Sequence, residues 1–287
     1  MEKIPNKEKI IYEMRKRKKD IIFWGVSLSI ILMILIFVCD KENSLYFVLS
    51  SMAQTLSLVI IMLRVTQYQS CSGISINYLI CFIIVLITRL ITNIFSSYDI
   101  QIGLVNSIFL YISQILSLLI CFFLLYLIFF EYPETSDKMI DNKIPWYYIV
   151  IPTFFVAIFF KPYIFRNWFF DLVFIYSIIL ESVAIYPQII LFSVKKGEIE
   201  TYTSNFIAFQ GLSTVFVLIF WLKNYLNLED NYSLLLGRFS GYVVILSEIL
   251  QLIIMIYYFY LYYKSFMKKL KGKNMIFKYY YSLNYIF

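Results

Sequence analysis

The chain has 287 residues, 61% hydrophobic and 15% charged, with a formal net charge of +7 and no histidine. Soluble globular domains carry about 25% charged residues, so this balance points away from one and toward the bilayer. The missing histidine removes the commonest metal ligand, general base and pH switch together, and the phosphate-cradling patterns GxxxxGK[ST] and GxGxxG are absent.

A bilayer core of about 30 Å takes about 20 apolar residues in a helix. The first twenty residues form a basic segment holding Lys3, Lys7, Lys9, Arg15, Lys16, Arg17, Lys18 and Lys19. The run Ile21–Val38 follows. It ends Val38-Cys39-Asp40-Lys41 without a small-residue cleavage site, so it reads as an uncleaved anchor rather than a signal peptide. Further spans are predicted at Leu45–Leu63, Ile76–Phe95, Leu104–Phe130, the short Trp146–Phe160, Phe169–Phe192, Asn205–Trp221 and Leu234–Tyr263. The charged connector Glu131–Lys143 divides them into two groups.

With eight spans, both ends fall on one side. That side collects nineteen Lys and Arg, including Arg64, Lys195, Lys196 and the tail residues Lys264 to Lys278, against four (Lys41, Lys161, Arg166 and Lys223) opposite. The positive-inside rule then predicts cytosolic termini, and the basic runs are a topology signal rather than a nucleic-acid surface. The expected organisation is a basic N-terminal segment (1–20), an extra anchor and short lumenal loop (21–44), a seven-helix domain (45–263) and a basic tail (264–287). Cys39, Cys71, Cys81 and Cys121 are scattered without metal-ligand spacing, and no disulfide framework, metal or cofactor is expected.

The chain also resembles itself. Ala53-Gln54, then Arg64, then Ser72-Gly73-Ile74-Ser75-Ile76-Asn77 parallels Tyr186-Pro187-Gln188, then Lys195-Lys196, then Tyr202-Thr203-Ser204-Asn205. Each reads as Gln in a helix, a basic helix end, a short loop, and a Ser able to cap the next helix. Pro187 should kink its helix. The predicted fold is all-α: two three-helix bundles joined by a linking helix, plus the extra N-terminal span.

Three stretches carry a family resemblance. They are Ser70 to Ser75 with Thr88-Arg89; Tyr176-Ser177-Ile178-Ile179-Leu180-Glu181-Ser182-Val183-Ala184-Ile185-Tyr186-Pro187-Gln188 with Gly197-Glu198-Ile199-Glu200-Thr201; and Tyr260-Leu261-Tyr262 with Leu270-Lys271-Gly272-Lys273. In these the sequence from Leu45 to Asn274 resembles the ER lumen protein-retaining (KDEL) receptors, which are related to the PQ-loop and SWEET membrane fold. The resemblance implies a multi-pass protein of the ER and Golgi that binds the C-terminal tetrapeptide of ER lumenal proteins and engages the COPI coat through its tail. An acidic peptide with a free carboxylate calls for arginine in a lumen-facing cavity.

Residue by residue, Arg89, Glu181, Asp171 and Trp221 match positions of that site. Phe47, Thr214 and Asn224 stand where the family has arginines, Ser213, Val217 and Phe220 where it has two tyrosines and an asparagine, and Gln54 where it has its pH-sensing histidine. Lys223 and Arg238, near the lumenal ends of their spans, either supply positive charge to a ligand or snorkel to the interface. Arg89 and Glu181 lie deeper and should face the bundle interior as a pair. Without histidine, Glu181 is the best remaining proton sensor, with Glu248 either a second one or part of the same buried network. Lys271 and Lys273 match the coat-recruiting lysines, and Glu198 and Glu200 the acids that mask them. The leading expectation is therefore a retention receptor, not an enzyme, with altered ligand specificity or pH dependence. The alternatives are a PQ-loop/SWEET-like small-molecule transporter and a paralogue that has lost ligand binding.

Overall fold

A computed structural model describes residues 44–96, 104–162, 167–194, 201–224 and 239–260. The predicted anchor Ile21–Val38 and the basic tail lie outside them. The described elements are helical. In chain order they are α1 (Ser44–Tyr68), α2 (Ile76–Ser96), α3 (Leu104–Tyr126), α4 (Tyr147–Phe159), α5 (Trp168–Ala184), α6 (Tyr186–Val194), α7 (Thr201–Asn224) and α8 (Ser240–Tyr260). Among the described residues, six stretches are long and apolar enough to cross a membrane: α1, α2, α3, α5 with α6, α7 and α8.

Helices α1 to α3 form one bundle, and α5 with α6, α7 and α8 the other, with α4 linking them. The bundles meet reciprocally. The first helix of one (α1) lies along the second of the other (α7), and α2 lies along α5. A two-fold relation between repeated bundles would produce such crossed pairing.

Apolar residues face both ways, as a bilayer requires. Along α3, Ile108, Ile112, Ile115, Leu119 and Phe122 recur at three- and four-residue spacing and point outward. The opposite face buries Leu110, Ile120, Cys121 and Leu124. Polar residues are gathered inside: Ser50, Ser51, Gln54, Thr55 and Ser57 on α1 are all buried. In hydrocarbon such groups must find partners within the protein.

Three local departures have visible causes. The α3 helix widens into a π turn at Leu127–Glu131, with Tyr132 N–H donating to the Leu127 carbonyl at 2.8 Å. The helix expected over Phe169–Phe192 breaks at Ile185, because Pro187 has no N–H to continue the ladder. It resumes with Ile189 N–H bonded to the Ile185 carbonyl at 3.2 Å. The linker α4 has 13 residues, about 20 Å of helix, shorter than a full crossing. Pro145 precedes it and Lys161-Pro162 follows, and a residue before proline is steered out of the helical region.

Candidate ligand site and the knot beneath it

The interior polar residues converge on one carboxylate. Arg89 from α2 meets Glu181 from α5 in a two-armed ion pair. Nη1 donates to Oε1 at 3.1 Å and Nη2 donates to Oε2. From α1, the Gln54 amide donates to the same Oε1 at 2.5 Å. All three residues are buried, where a fork-shaped guanidinium matches a carboxylate in geometry as well as charge. Glu248 of α8 is buried within electrostatic reach of both Arg89 and Glu181. Thus three helices from both bundles each send one side chain to a single centre, and a fourth, α8, places Glu248 within electrostatic reach of it.

Hydroxyls frame that centre along α1. Ser50 bonds Ser213 of α7 at 2.9 Å, and Ser57 donates to Gln210 of α7 at 3.0 Å. On the other side, Ser51 bonds Ser113 at 2.5 Å and Thr55 bonds Ser117 at 2.8 Å, both on α3. One turn or more toward the start of α1, aromatic rings close over the polar layer. Phe47 lies 5.2 Å from Phe220, Phe220 4.8 Å from Trp221, and Trp221 5.9 Å from Phe174, centroid to centroid. The Trp221 indole N–H is buried without a hydrogen-bond partner among the described residues.

The remaining candidates are dispersed. Asp171 is fully buried in the first turn of α5, ten residues and so about 15 Å along the helix from Glu181. The same helix start is capped by Asn167, whose side chain accepts from Phe169 N–H at 3.0 Å. Lys223 is exposed, with its ammonium 4.5 Å from the Tyr46 ring centroid. Asn224 turns back to donate to the Phe220 carbonyl of its own helix at 2.8 Å, and Thr214 likewise to Gln210 at 3.1 Å. Arg238, Glu198, Glu200, Lys271 and Lys273 lie outside the described residues. Among the described residues, no three of Cys, Asp or Glu converge as a metal ion would require.

A second polar assembly, which composition and spacing did not reveal, lies at the end of the bundles bearing the turn between α1 and α2. Asp141, in the connector after α3, sits over the start of α2. Its carboxylate accepts from Ile76 N–H at 2.8 Å, Asn77 N–H at 3.2 Å and the Ser75 hydroxyl. Ser75 in turn accepts from Tyr78 N–H at 3.1 Å, the predicted cap. Asn77 returns the contact, donating to the Asp141 carbonyl at 2.9 Å and accepting from Trp146 N–H at 3.0 Å. Asp137 accepts from Gly73 N–H at 2.7 Å, and Gln188 of α6 both accepts from Ser75 N–H at 2.8 Å and donates to the Gly73 carbonyl at 2.7 Å. Gly73 holds φ +84°, a conformation that favours glycine. Burial pushes the Cys71 thiol in this turn up to about 11, against a smaller lowering by Arg64.

The two glutamines aligned by the repeat therefore sit in different places. Gln188 lies six residues before the end of α6 and ties the turn, whereas Gln54 lies fourteen before the end of α1 and reaches the ion pair. That difference is about 12 Å of helix.

Comparison with known proteins agrees with this architecture. The profile described as "ER lumen protein retaining receptor" matches residues 70–224. The ER lumen protein-retaining receptor of Dictyostelium discoideum is 29% identical over 235 residues, covering 81% of this chain and 98% of its own length. That of Entamoeba histolytica is 28% identical over 222 residues, covering 77% and 94%. ER lumen protein-retaining receptor 2 of Homo sapiens is 29% identical over 227 residues, covering 76% and 92%. The matched profile spans the turn, both halves of the Arg89–Glu181 pair and the Trp221 cluster, and the chain belongs to the ER lumen protein-retaining receptor family.

Proposed function

We propose that this chain is a retrieval receptor of the ER–Golgi system, capturing C-terminal signals of lumenal proteins for return to the ER with a specificity or pH response of its own. The observation that carries the reading is the guanidinium of Arg89, held in the bilayer interior by Glu181. Arg89 presents the fork that a peptide carboxylate needs, and Glu181 is the competitor that the carboxylate must displace. Whatever loosens the hold of Glu181 on Arg89 favours capture, and whatever restores it favours release. Gln54, which cannot titrate, holds Glu181 in place instead of sensing pH. Trp221, Asp171, Lys223, Arg238 and Asn224 complete the proposed ligand set. The sequence supports a cytosolic tail whose Lys271 and Lys273, opposed by Glu198 and Glu200, recruit the COPI coat as an electrostatic switch.

The test is a binding assay on membranes bearing this chain, with a panel of C-terminal tetrapeptides at acidic and at neutral pH. We expect binding that is stronger in acid and lost in Arg89→Ala. Binding that survives Arg89→Ala removes the site assignment, and binding whose pH dependence is untouched by Glu181→Gln removes the sensor. No binding of any peptide would favour the other two readings, a PQ-loop/SWEET-like small-molecule transporter or a paralogue that has lost ligand binding.

A further inference from the structure

The polar centre holds more acid than base. Glu248 is 1% exposed, and its Oε2 has no hydrogen-bond partner among the described residues. Glu181 from α5 and Arg89 from α2 are the charged groups within electrostatic reach of it among the described residues. Gln54 on α1 is neutral and already donates to Glu181. Helix α7 packs on α8 through Gly211, against Met255 and Phe259, and carries no titratable side chain between Asn205 and Leu222. The one guanidinium within reach of Glu248 among the described residues spends one N–H of each Nη on the two oxygens of Glu181, so a single cation is shared between two acids.

An ionised Glu248 would place a second negative charge around one cation, with one of its oxygens away from water and without a hydrogen bond among the described residues. Such a group is costly unless paired or neutralised. Its closed-off oxygen admits neither a hydrated metal ion nor an amine. A proton is the counter-charge that fits.

We propose that Glu248 is a proton-binding site, the second acid of a centre with two carboxylates and one guanidinium, and that its proton sets how firmly Arg89 is held by its own protein. The step is simple: a carboxylate oxygen takes a proton delivered by water, forming an O–H bond, and no other bond changes. With Glu248 neutral, an incoming carboxylate competes with Glu181 alone for Arg89. With Glu248 ionised, it competes with two acids. This role in capture rests on the retrieval reading above, whereas the proton site itself does not.

The test therefore begins without a peptide. Infrared spectra of the full chain in lipid nanodiscs, titrated from acidic to neutral pH, should contain a protonated-carboxyl band that Glu248→Gln removes and Glu181→Gln leaves. Glu248→Gln should unfold at the same temperature as the parent in acid, because a neutral amide of the same shape replaces a neutral acid. Glu248→Asp should retain the band at a shifted frequency. A spectrum in which Glu248→Gln removes no carboxyl band overturns the proposal, as does a marked loss of stability in that variant with Glu248→Asp lacking the band. A second arm adds a C-terminal tetrapeptide. Glu248→Gln should flatten the dependence of its binding on pH. If the band behaves as expected and the peptide never binds, the proton site stands and the retrieval reading falls.

Discussion

Replacing Arg89 by methionine keeps most of the side chain's length and removes its charge. Among the described residues Glu181 is then left with a single amide donor, Gln54, and both Glu181 and Glu248 lose the one cation within their reach. Breaking a buried ion pair from one side costs about 3–5 kcal/mol. Glu181→Gln is gentler. The guanidinium keeps Glu248 as a counter-charge, and the new amide oxygen can still accept from Gln54, so the loss should be nearer the roughly 1–3 kcal/mol of an imperfectly satisfied buried group. Removing both partners, in Arg89→Met with Glu181→Met, should recover about 2–3 kcal/mol relative to the sum of the single losses. The measurement is a double-mutant cycle of unfolding free energies in lipid nanodiscs, repeated at acidic and neutral pH. Protonation relieves carboxylates that have lost their cation, so the cost of Arg89→Met should shrink as pH falls. Equal, additive and pH-independent losses would refute the coupling of Arg89 to two acids.

Three further outcomes are expected. Asp141→Ala withdraws a carboxylate that serves two backbone N–H groups and a hydroxyl at the start of α2; it should cost about 2–4 kcal/mol, seen as lowered stability and faster proteolysis of the turn between α1 and α2. Gly73→Ala should cost about 1–2 kcal/mol in the same unfolding assay because of its φ of +84°, and not through crowding, since the nearest side-chain atom would stand 3.7 Å from the added Cβ. Cys71, buried with its thiol raised from 9.0 to about 11, should react slowly with maleimide at neutral pH, with a rate that climbs until about pH 11. The sign for stability follows from the same shift. The neutral thiol is the form the fold accommodates, so Cys71 leaves stability unchanged at neutral pH and lowers it between about pH 9, where the unfolded thiol ionises, and about pH 11.

By itself the sequence determined the class of protein, the positions of the described spans, the division into two bundles around the connector, and the placing of Arg89 and Glu181 in the interior. Each of these depends on quantities local to the chain: runs of apolar residues, the placing of Lys and Arg, a proline that stops a ladder, and a charge too costly to face lipid. The short linker α4 was also legible, since the apolar run expected over Trp146–Phe160 folds as the helix Tyr147–Phe159.

Only the tertiary structure decided which polar groups meet. Beyond the Arg89–Glu181 pair, which the cost of intramembrane charge led one to expect, Gln54 and Glu181 are 127 residues apart and Ser75 and Asp141 66. No local pattern encodes such pairings, which arise from the crossed packing of α1 on α7 and α2 on α5. Asp137 and Asp141 looked like an ordinary charged connector until the start of α2 was brought beneath them. Glu248 was legible as a mid-span acid, but its unpaired oxygen beside an occupied arginine was not. Depth in the bilayer is written along one helix, whereas the company a side chain keeps there depends on all of them.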